Sequence, residues 1–249
     1  MRHKMRIICV NGSPRGRNSI SQMIAAEFLE GARKAGAEVE TAFLVEKKIG
    51  YCKACLSCWI KTPGVCVQKD DMAELLEKVI KSDIVVFATP VYADNVTGNM
   101  KIFIDRMIPA LDPRVKRVQG ETVHVKRYDS YPKVVVISNS GFPEQTHFQT
   151  LRLYFRRLSR NMHSEVIGEI YRGGGALLKV KNPLLKSILH SYMKLLRKAG
   201  EEVVQEGRLS EKTMEKLEKP LVPHDRFAEG MNQYFEKRLA QLSQKGNSD

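Results

Sequence analysis

Apolar residues fall along this chain in two alternating rhythms. Short unbroken runs such as Ile7-Ile8-Cys9-Val10, Ile84-Val85-Val86-Phe87-Ala88 and Val134-Val135-Val136-Ile137 are bounded by polar, Gly-rich stretches. Runs of that length and kind suit strands buried on both faces of a parallel sheet. They predict strands over 6–10, 84–88 and 134–138. Two weaker segments join them: Val39 to Leu44, with Val39, Thr41 and Phe43 on one face, and Val166 to Ile170, which ends at Gly173-Gly174-Gly175. Between the runs the spacing turns helical. Ile20, Ile24, Phe28 and Leu29 mark a helix over 19–34, which Gly36 can close in the left-handed conformation. Asp70-Asp71 places acids at the positive end of a helix over 72–81. Further helices are expected over 97–108 and 148–160, while 111–131 reads as irregular and rich in Lys and Arg.

Strand and helix alternate five times. This calls for a doubly wound α/β domain with five parallel strands covered on both faces. Beyond Gly175 the pattern is helical throughout. Leu184, Leu185, Ile188, Leu189, Tyr192, Met193 and Leu196 form an apolar stripe with basic residues opposite. Short and long helices follow over 210–217 and 225–242, the latter with Phe227, Met231, Tyr234, Phe235 and Leu239 on one side. Residues 1–175 are therefore expected to form the ligand-binding domain. Residues 176–249 form a helical extension that packs on the core or on a partner subunit.

In open parallel sheets, ligands bind outside the carboxyl ends of the strands. Three polar loops fall at that edge. The first, Asn11 to Ser21, reads Asn-Gly-Ser-Pro-Arg-Gly-Arg-Asn-Ser-Ile-Ser and runs from strand to helix. Its glycines let backbone N–H groups turn toward an anion at which the next helix aims its positive end. Ser13, Asn18, Ser19 and Ser21 add neutral donors, and Arg15 or Arg17 a charged one. No Lys follows Gly16, and the spacing is not G-x-G-x-x-G, so neither a triphosphate loop nor a dinucleotide fingerprint is present. A single terminal phosphate fits better. The second loop spans 89–98 and the third 139–147.

Composition narrows the class. No run approaches the ~18 apolar residues of a membrane span, and the charged N-terminus precedes too short an apolar run for a signal peptide. A cytoplasmic protein is expected. Five cysteines, four of them crowded into Cys52–Cys66, suit metal or redox chemistry in a reducing compartment rather than a disulfide scaffold. Cys9, on the first strand, reads as a small buried hydrophobe. A net charge of +13 admits nucleic acid or an anionic cofactor as partner. No zinc finger, RNP or helix-turn-helix signature accompanies it, so nucleic acid is not expected.

Three motifs in order carry a resemblance. Gly12-Ser13-Pro14-Arg15 is followed by Asn18-Ser19. The cysteine run leads into Asp70-Asp71-Met72. Thr89-Pro90-Val91-Tyr92 precedes Lys101-Ile102-Phe103-Ile104-Asp105-Arg106. Together they resemble the flavodoxin-like NADPH-dependent FMN reductases, and within them the group that includes the iron–sulfur flavoproteins. The resemblance implies a flavodoxin-like sheet of order 2-1-3-4-5, FMN as cofactor, NADH or NADPH as electron donor, and a homodimer or homotetramer. It implies phosphate contacts from Ser13, Pro14, Arg15, Asn18, Ser19 and Ser21. Pro90, Val91, Tyr92 and Asn95 would flank the flavin ring, and Ser140 and Gly141 would close its other side. Phe142 or His147 could shape the substrate side. Where many relatives carry an aromatic residue after the Tyr, this chain has Ala93, which would open the ring face. Lys101, Asp105 and Arg106 read as structural.

Cys52-x2-Cys55-x2-Cys58-x7-Cys66 matches the compact spacing of the iron–sulfur flavoproteins and begins as ferredoxin spacing does, so these four thiolates can ligate a 4Fe–4S cluster. Flavin-only relatives also keep cysteines here, as packing groups or thiols, and that alternative stays open. Two functions follow. The first is an NAD(P)H oxidoreductase that passes electrons through FMN to a quinone, free flavin or other small acceptor. The second is an iron–sulfur flavoprotein that relays electrons between proteins such as ferredoxin.

Overall fold

The computed structural model describes residues 4–246. Strands β1 (Arg6–Asn11), β2 (Glu38–Phe43), β3 (Ile84–Pro90), β6 (Lys133–Asn139) and β7 (Val166–Arg172) build one five-stranded sheet in the order β2-β1-β3-β6-β7. Every pairing in it is parallel. The helices are α1 (Ile20–Lys34), a single turn α2 (Ser57–Ile60), α3 (Met72–Ile80), α4 (Gly98–Asp105), α5 (Gln149–Asn161), α6 (Pro183–Glu206), α7 (Glu211–Glu218) and α8 (His224–Gly246).

Side chains leave a strand alternately to either face. Ile8, Val10, Val85, Phe87, Val134 and Val136 therefore pack toward α3, α4 and α5, whereas Ile7, Cys9, Val86, Val135 and Ile137 pack toward α1 and α6. Burial pushes the Cys9 thiol up to about 12, as suits a small hydrophobe.

The expected order 2-1-3-4-5 does not carry over as written, because two more strands intervene. β4 (Leu111–Val118) and β5 (Glu121–Lys126) form an antiparallel hairpin within the stretch read as irregular. Its turn places Gln119 at φ 50° and Gly120 at φ 79°, the left-handed pair that two-residue hairpins favour. The hairpin escaped the hydrophobic pattern because β4 is exposed beyond Asp112, with Arg114, Lys116 and Arg117 on it, and β5 is only half-buried.

Two glycines seat the helical extension. A Cβ on Gly31 would lie 1.8 Å from the Arg197 carbonyl oxygen, and one on Gly200 would lie 1.9 Å from the Phe28 carbonyl oxygen. The backbones of α1 and α6 thus touch at reciprocal glycines. The buried part of α6 runs through Tyr192, Leu196, Ala199 and Val203, while Leu184 is 84% exposed. The sequence stripe was thus half right: burial shifts toward the C-terminal end, where Gly200 permits contact. Phe227 roots α8 against Gly174, and Tyr234, Phe235, Leu239 and Leu242 beyond it are exposed. Among the described residues no helix is long and apolar enough to cross a membrane.

Helix propensity alone favours Gly200→Ala by about 1 kcal/mol. The backbone contact opposes it, and overpacking costs about 1–3 kcal/mol. Gly200→Ala is therefore expected to lower stability, read as a lower urea midpoint at unchanged slope. A raised midpoint would show that α1 and α6 stand further apart.

Candidate functional site: three loops at the carboxyl edge and a cysteine pocket

The first loop is built from its own polar groups. Asn11 Oδ1 accepts from the Ser13 N–H at 2.9 Å, and the Ser13 hydroxyl accepts from the Arg15 N–H at 3.3 Å. Ser19 caps α1 by accepting from the Gln22 N–H at 3.0 Å, and its own hydroxyl donates to the Gly16 carbonyl at 2.7 Å. The glycines play another role than expected. The Gly12 N–H donates to Ala88 O, and the Gly16 N–H to Ser13 O, so neither is free for a ligand. A Cβ on Gly12 would lie 2.7 Å from Met100 Cβ, so Gly12 lets α4 close on the loop. Gly16 sits at φ 49° and makes the turn.

The donors left over point to an anion. The N–H groups of Ile20 and Ser21, the first two of α1, have no acceptor among the described residues. Arg15 is exposed and has no partner there either, whereas Arg17 is spent on Glu46, at 2.9 Å, and on the Phe43 ring. Pro14 and Asn18 are exposed beside it. Ser21 stands apart, because its buried hydroxyl donates to Asn139 Oδ1 at 2.7 Å and ties the first loop to the third. Only its backbone faces the same task as Ile20.

In the second loop, Tyr92 and Asn95 exchange backbone hydrogen bonds of 2.9 and 3.0 Å around Ala93 and Asp94. Both turn residues have positive φ, 47° and 58°, which costs a residue with a Cβ on the order of 1–3 kcal/mol. This strained turn holds Tyr92 48% exposed, after buried Pro90 and half-buried Val91. Asn95 Oδ1 accepts from the Val96 N–H at 2.8 Å. Thr97 caps α4, and its hydroxyl donates to the Gly12 carbonyl at 2.6 Å, which ties the second loop to the first.

In the third loop, the Ser140 N–H donates to Arg172 O, and its hydroxyl accepts from the Phe142 N–H at 3.1 Å. A Cβ on Gly141 would meet nothing within 4 Å, so the space above it is open. Phe142 is 63% exposed and lies 5.0 Å, ring to ring, from His147, which itself lies 3.5 Å from Glu144. The Val91 N–H donates to Asn139 O at 2.9 Å and joins the second loop to the third.

The four clustered cysteines line one small cavity of about 30 Å³, together with Asp105 and Arg106. Ala54 and Leu56, at φ 49° and 55°, bend the loop so that Cys52, Cys55 and Cys58 converge toward Cys66. Burial and the neighbouring Cys66, Cys52 and Cys55 sulfurs push the Cys58 thiol up, while hydrogen bonding from Ser57 pulls Cys55 down. Among the described residues no three His, Cys, Asp or Glu side chains gather closely enough for one metal ion.

The loop is framed from below. Asp70 accepts from Arg106 Nη1 and Nη2 at 2.7 and 3.0 Å, from the Gly50 N–H at 2.9 Å and from the Met72 N–H at 3.1 Å. Burial pushes its carboxyl up, but these donors prevail and hold it below the usual carboxylate range. Asp71 accepts from the Lys48 N–H at 2.7 Å. The two acids thus clamp the start of the cysteine loop as well as opening α3. Lys101 and Asp105 pair at 2.6 Å on the face of α4, as their spacing implied.

Sequence reading missed three contributors. Thr97 ties the second loop to the first, Gln22 accepts from Asn11 Nδ2 and joins the two ends of the first loop, and Lys179 donates to Asn18 O from beyond Gly175. Only Thr97 carries a local signal, a Thr before a helical run.

A parallel sheet with interlocked polar loops at its carboxyl edge defines a flavodoxin-like α/β protein. Residues 5–127 match the family model of the NADPH-dependent FMN reductases, the family that the three motifs resemble. The chain is 47% identical over 142 residues to an iron–sulfur flavoprotein of Archaeoglobus fulgidus, covering 57% of this chain and 58% of that one. It is 39% identical over 116 residues to an iron–sulfur flavoprotein of Methanocaldococcus jannaschii, covering 45% and 57%. The chain thus spans little more than half the length of these relatives. Among solved structures, an FMN-dependent NADH-azoreductase of Bacillus anthracis in complex with FMN superposes with a TM-score of 0.58 at 18% identity, over 81% of this chain and all of that one. That likeness shows the fold.

Thr97→Val would remove a cap and leave the buried Gly12 carbonyl without its donor. The expected loss is about 1–3 kcal/mol, read by urea denaturation. A loss below ~0.5 kcal/mol would mean that the tie between the loops contributes little.

Proposed function

We propose that this chain is an FMN-dependent NAD(P)H oxidoreductase that passes electrons to a small acceptor such as a quinone or free flavin. The observation that carries the reading is the donor set at the first loop. Along this loop lie two N–H groups of α1 and the Arg15 guanidinium, none with a partner among the described residues, together with the Ser13 hydroxyl and the Asn18 amide. Glu46, the acid that reaches this loop, is neutralised by Arg17. Such a set fits one dianionic phosphate.

When bound, FMN supplies hydride and electron chemistry. The chain's own residues bind and orient. Ser13, Arg15, Asn18 and the start of α1 anchor the phosphate. The backbone of Pro90 to Asn95 and the open space over Gly141 border the ring. Tyr92, Phe142 and His147 form an exposed aromatic rim against which a planar nicotinamide or acceptor can stack. Residues 1–175 serve as the flavin unit, and α6 anchors residues 176–249 to it. The exposed apolar side of α8 is consistent with a homodimer or homotetramer.

A second reading has its own observation, the shared cysteine cavity. Four thiols line one pocket, yet among the described residues no three of them gather as closely as the ligands of a single ion, whose sulfurs all lie ~2.3 Å from one centre, so the set suits a multinuclear cluster better. Cys52, Cys55, Cys58 and Cys66 would then hold a 4Fe–4S cluster, which supplies one-electron transfer. The chain would exchange electrons with a ferredoxin-like protein.

Anaerobic mixing with NADH and NADPH separates the two. Rapid bleaching of the flavin absorbance is expected for the oxidoreductase. No bleaching with either nucleotide, but reduction by a ferredoxin, would favour the carrier. The phosphate site has its own test. Ser13→Asp places a negative charge against the phosphate and is expected to strip FMN while far-UV circular dichroism stays unchanged. Retention of flavin at wild-type occupancy would put the phosphate elsewhere.

A further inference from the structure

Arg106 follows the last residue of α4 and is 1% exposed. An arginine so buried needs its five N–H donors matched. Nη1 donates to Asp70 Oδ2 and to the Gly50 carbonyl, at 2.7 and 2.8 Å. Nη2 donates to Asp70 Oδ1 at 3.0 Å. Asp70 and Gly50 therefore occupy the end of the guanidinium. On its side edge Nε has no hydrogen-bond partner among the described residues, and the Cys66 thiol stands within interaction distance of the guanidinium. Arg106 lines the cavity of the four cysteines, and its charge couples to Cys66. A buried donor without an acceptor costs about 1–3 kcal/mol. An electron-rich sulfur in that cavity would remove the cost.

From this we propose that Arg106 is the positioning residue of the cysteine pocket, its Nε/Nη2 edge donating to sulfur of an iron–sulfur cluster held by Cys52, Cys55, Cys58 and Cys66. The proposal rests on the iron–sulfur reading of the cysteine loop. Asp70 fixes the guanidinium plane by its two-point contact and, through Gly50, fixes the start of the loop that carries the ligands. Hydrogen bonds to cluster sulfur favour the reduced, more negative state and so raise the reduction potential. Lysine keeps the charge but lacks the planar fork and cannot serve Asp70 and the sulfur with one rigid group.

Wild type, Arg106→Lys and Arg106→Met are purified anaerobically and assayed for iron, sulfide and flavin. Midpoint potentials are measured by redox titration followed by electron paramagnetic resonance. Roughly four irons per chain are expected in the wild type. Iron-free, flavin-containing wild-type protein would overturn the cluster reading, and the proposal with it. Given a loaded wild type, Arg106→Lys is expected to keep its iron but to lower the cluster midpoint by at least ~59 mV, a tenfold change in a one-electron equilibrium. The flavin midpoint, set at the other end of α4, is expected not to move. An unchanged cluster midpoint in a loaded variant would overturn the role of Arg106 while leaving the cluster reading intact.

Should both variants fail to fold, the wild type itself decides. Guanidino-15N arginine labelling is expected to give a nitrogen hyperfine coupling to the reduced cluster in pulsed spectra. Absence of that coupling would overturn the proposal.

Discussion

The carboxyl edge of the sheet depends on one constraint: buried polar groups there are satisfied by one another. A buried carbonyl or N–H without a partner costs about as much as several good contacts gain. Asn11 meets this demand within the first loop, whereas Thr97 and Asn139 meet it across loops. Thr97 holds Gly12, Ser21 holds Asn139, and the Asn139 carbonyl holds Val91. The three loops consequently form one body. Among the described residues, the first N–H groups of α1 and the exposed side chains around them remain unpaired, as do Ser138 Oγ and Arg172 Nε and Nη2 at the ends of β6 and β7.

Charge is organised on the same principle. The net charge of +13 is spread over the surface, but the cations near the two candidate sites differ in kind. Arg17 and Arg106 are fixed by carboxylates and shape their loops, whereas Arg15 is held by none. The strained turn at Ala93 and Asp94 and the left-handed Ala54 and Leu56 sit in the second polar loop and the cysteine loop respectively. Strain of this kind persists where surrounding hydrogen bonds over-determine the turn.

Much of this was legible in the chain. The β1, β3 and β6 runs announced themselves because both of their faces are buried, and the cysteine spacing was read directly, whereas Ser19, read as a phosphate donor, spends its hydroxyl on the Gly16 carbonyl and on capping α1. The rest was hidden for physical reasons. β4 is mostly exposed and β5 at most half-buried, so no unbroken apolar run marks them. Gly31 and Gly200 look like helix defects until the partner backbone is seen. Gly12 and Gly16 looked like phosphate donors, yet their N–H groups close the loop on itself. Periodicity reports burial, and composition reports chemistry, but neither reports which donors are already taken.

Helix α4 carries one further consequence. Its eight residues rise about 12 Å at 1.5 Å each. Thr97 at one end grips the first loop, and Arg106 at the other grips the cysteine loop. Each residue also turns the helix by about 100°. Inserting a single residue would lengthen the span only slightly, but it would swing Arg106 away from Asp70. The helix therefore sets a phase as well as a length. Its residue number is fixed by the need for its two ends to face their loops at once.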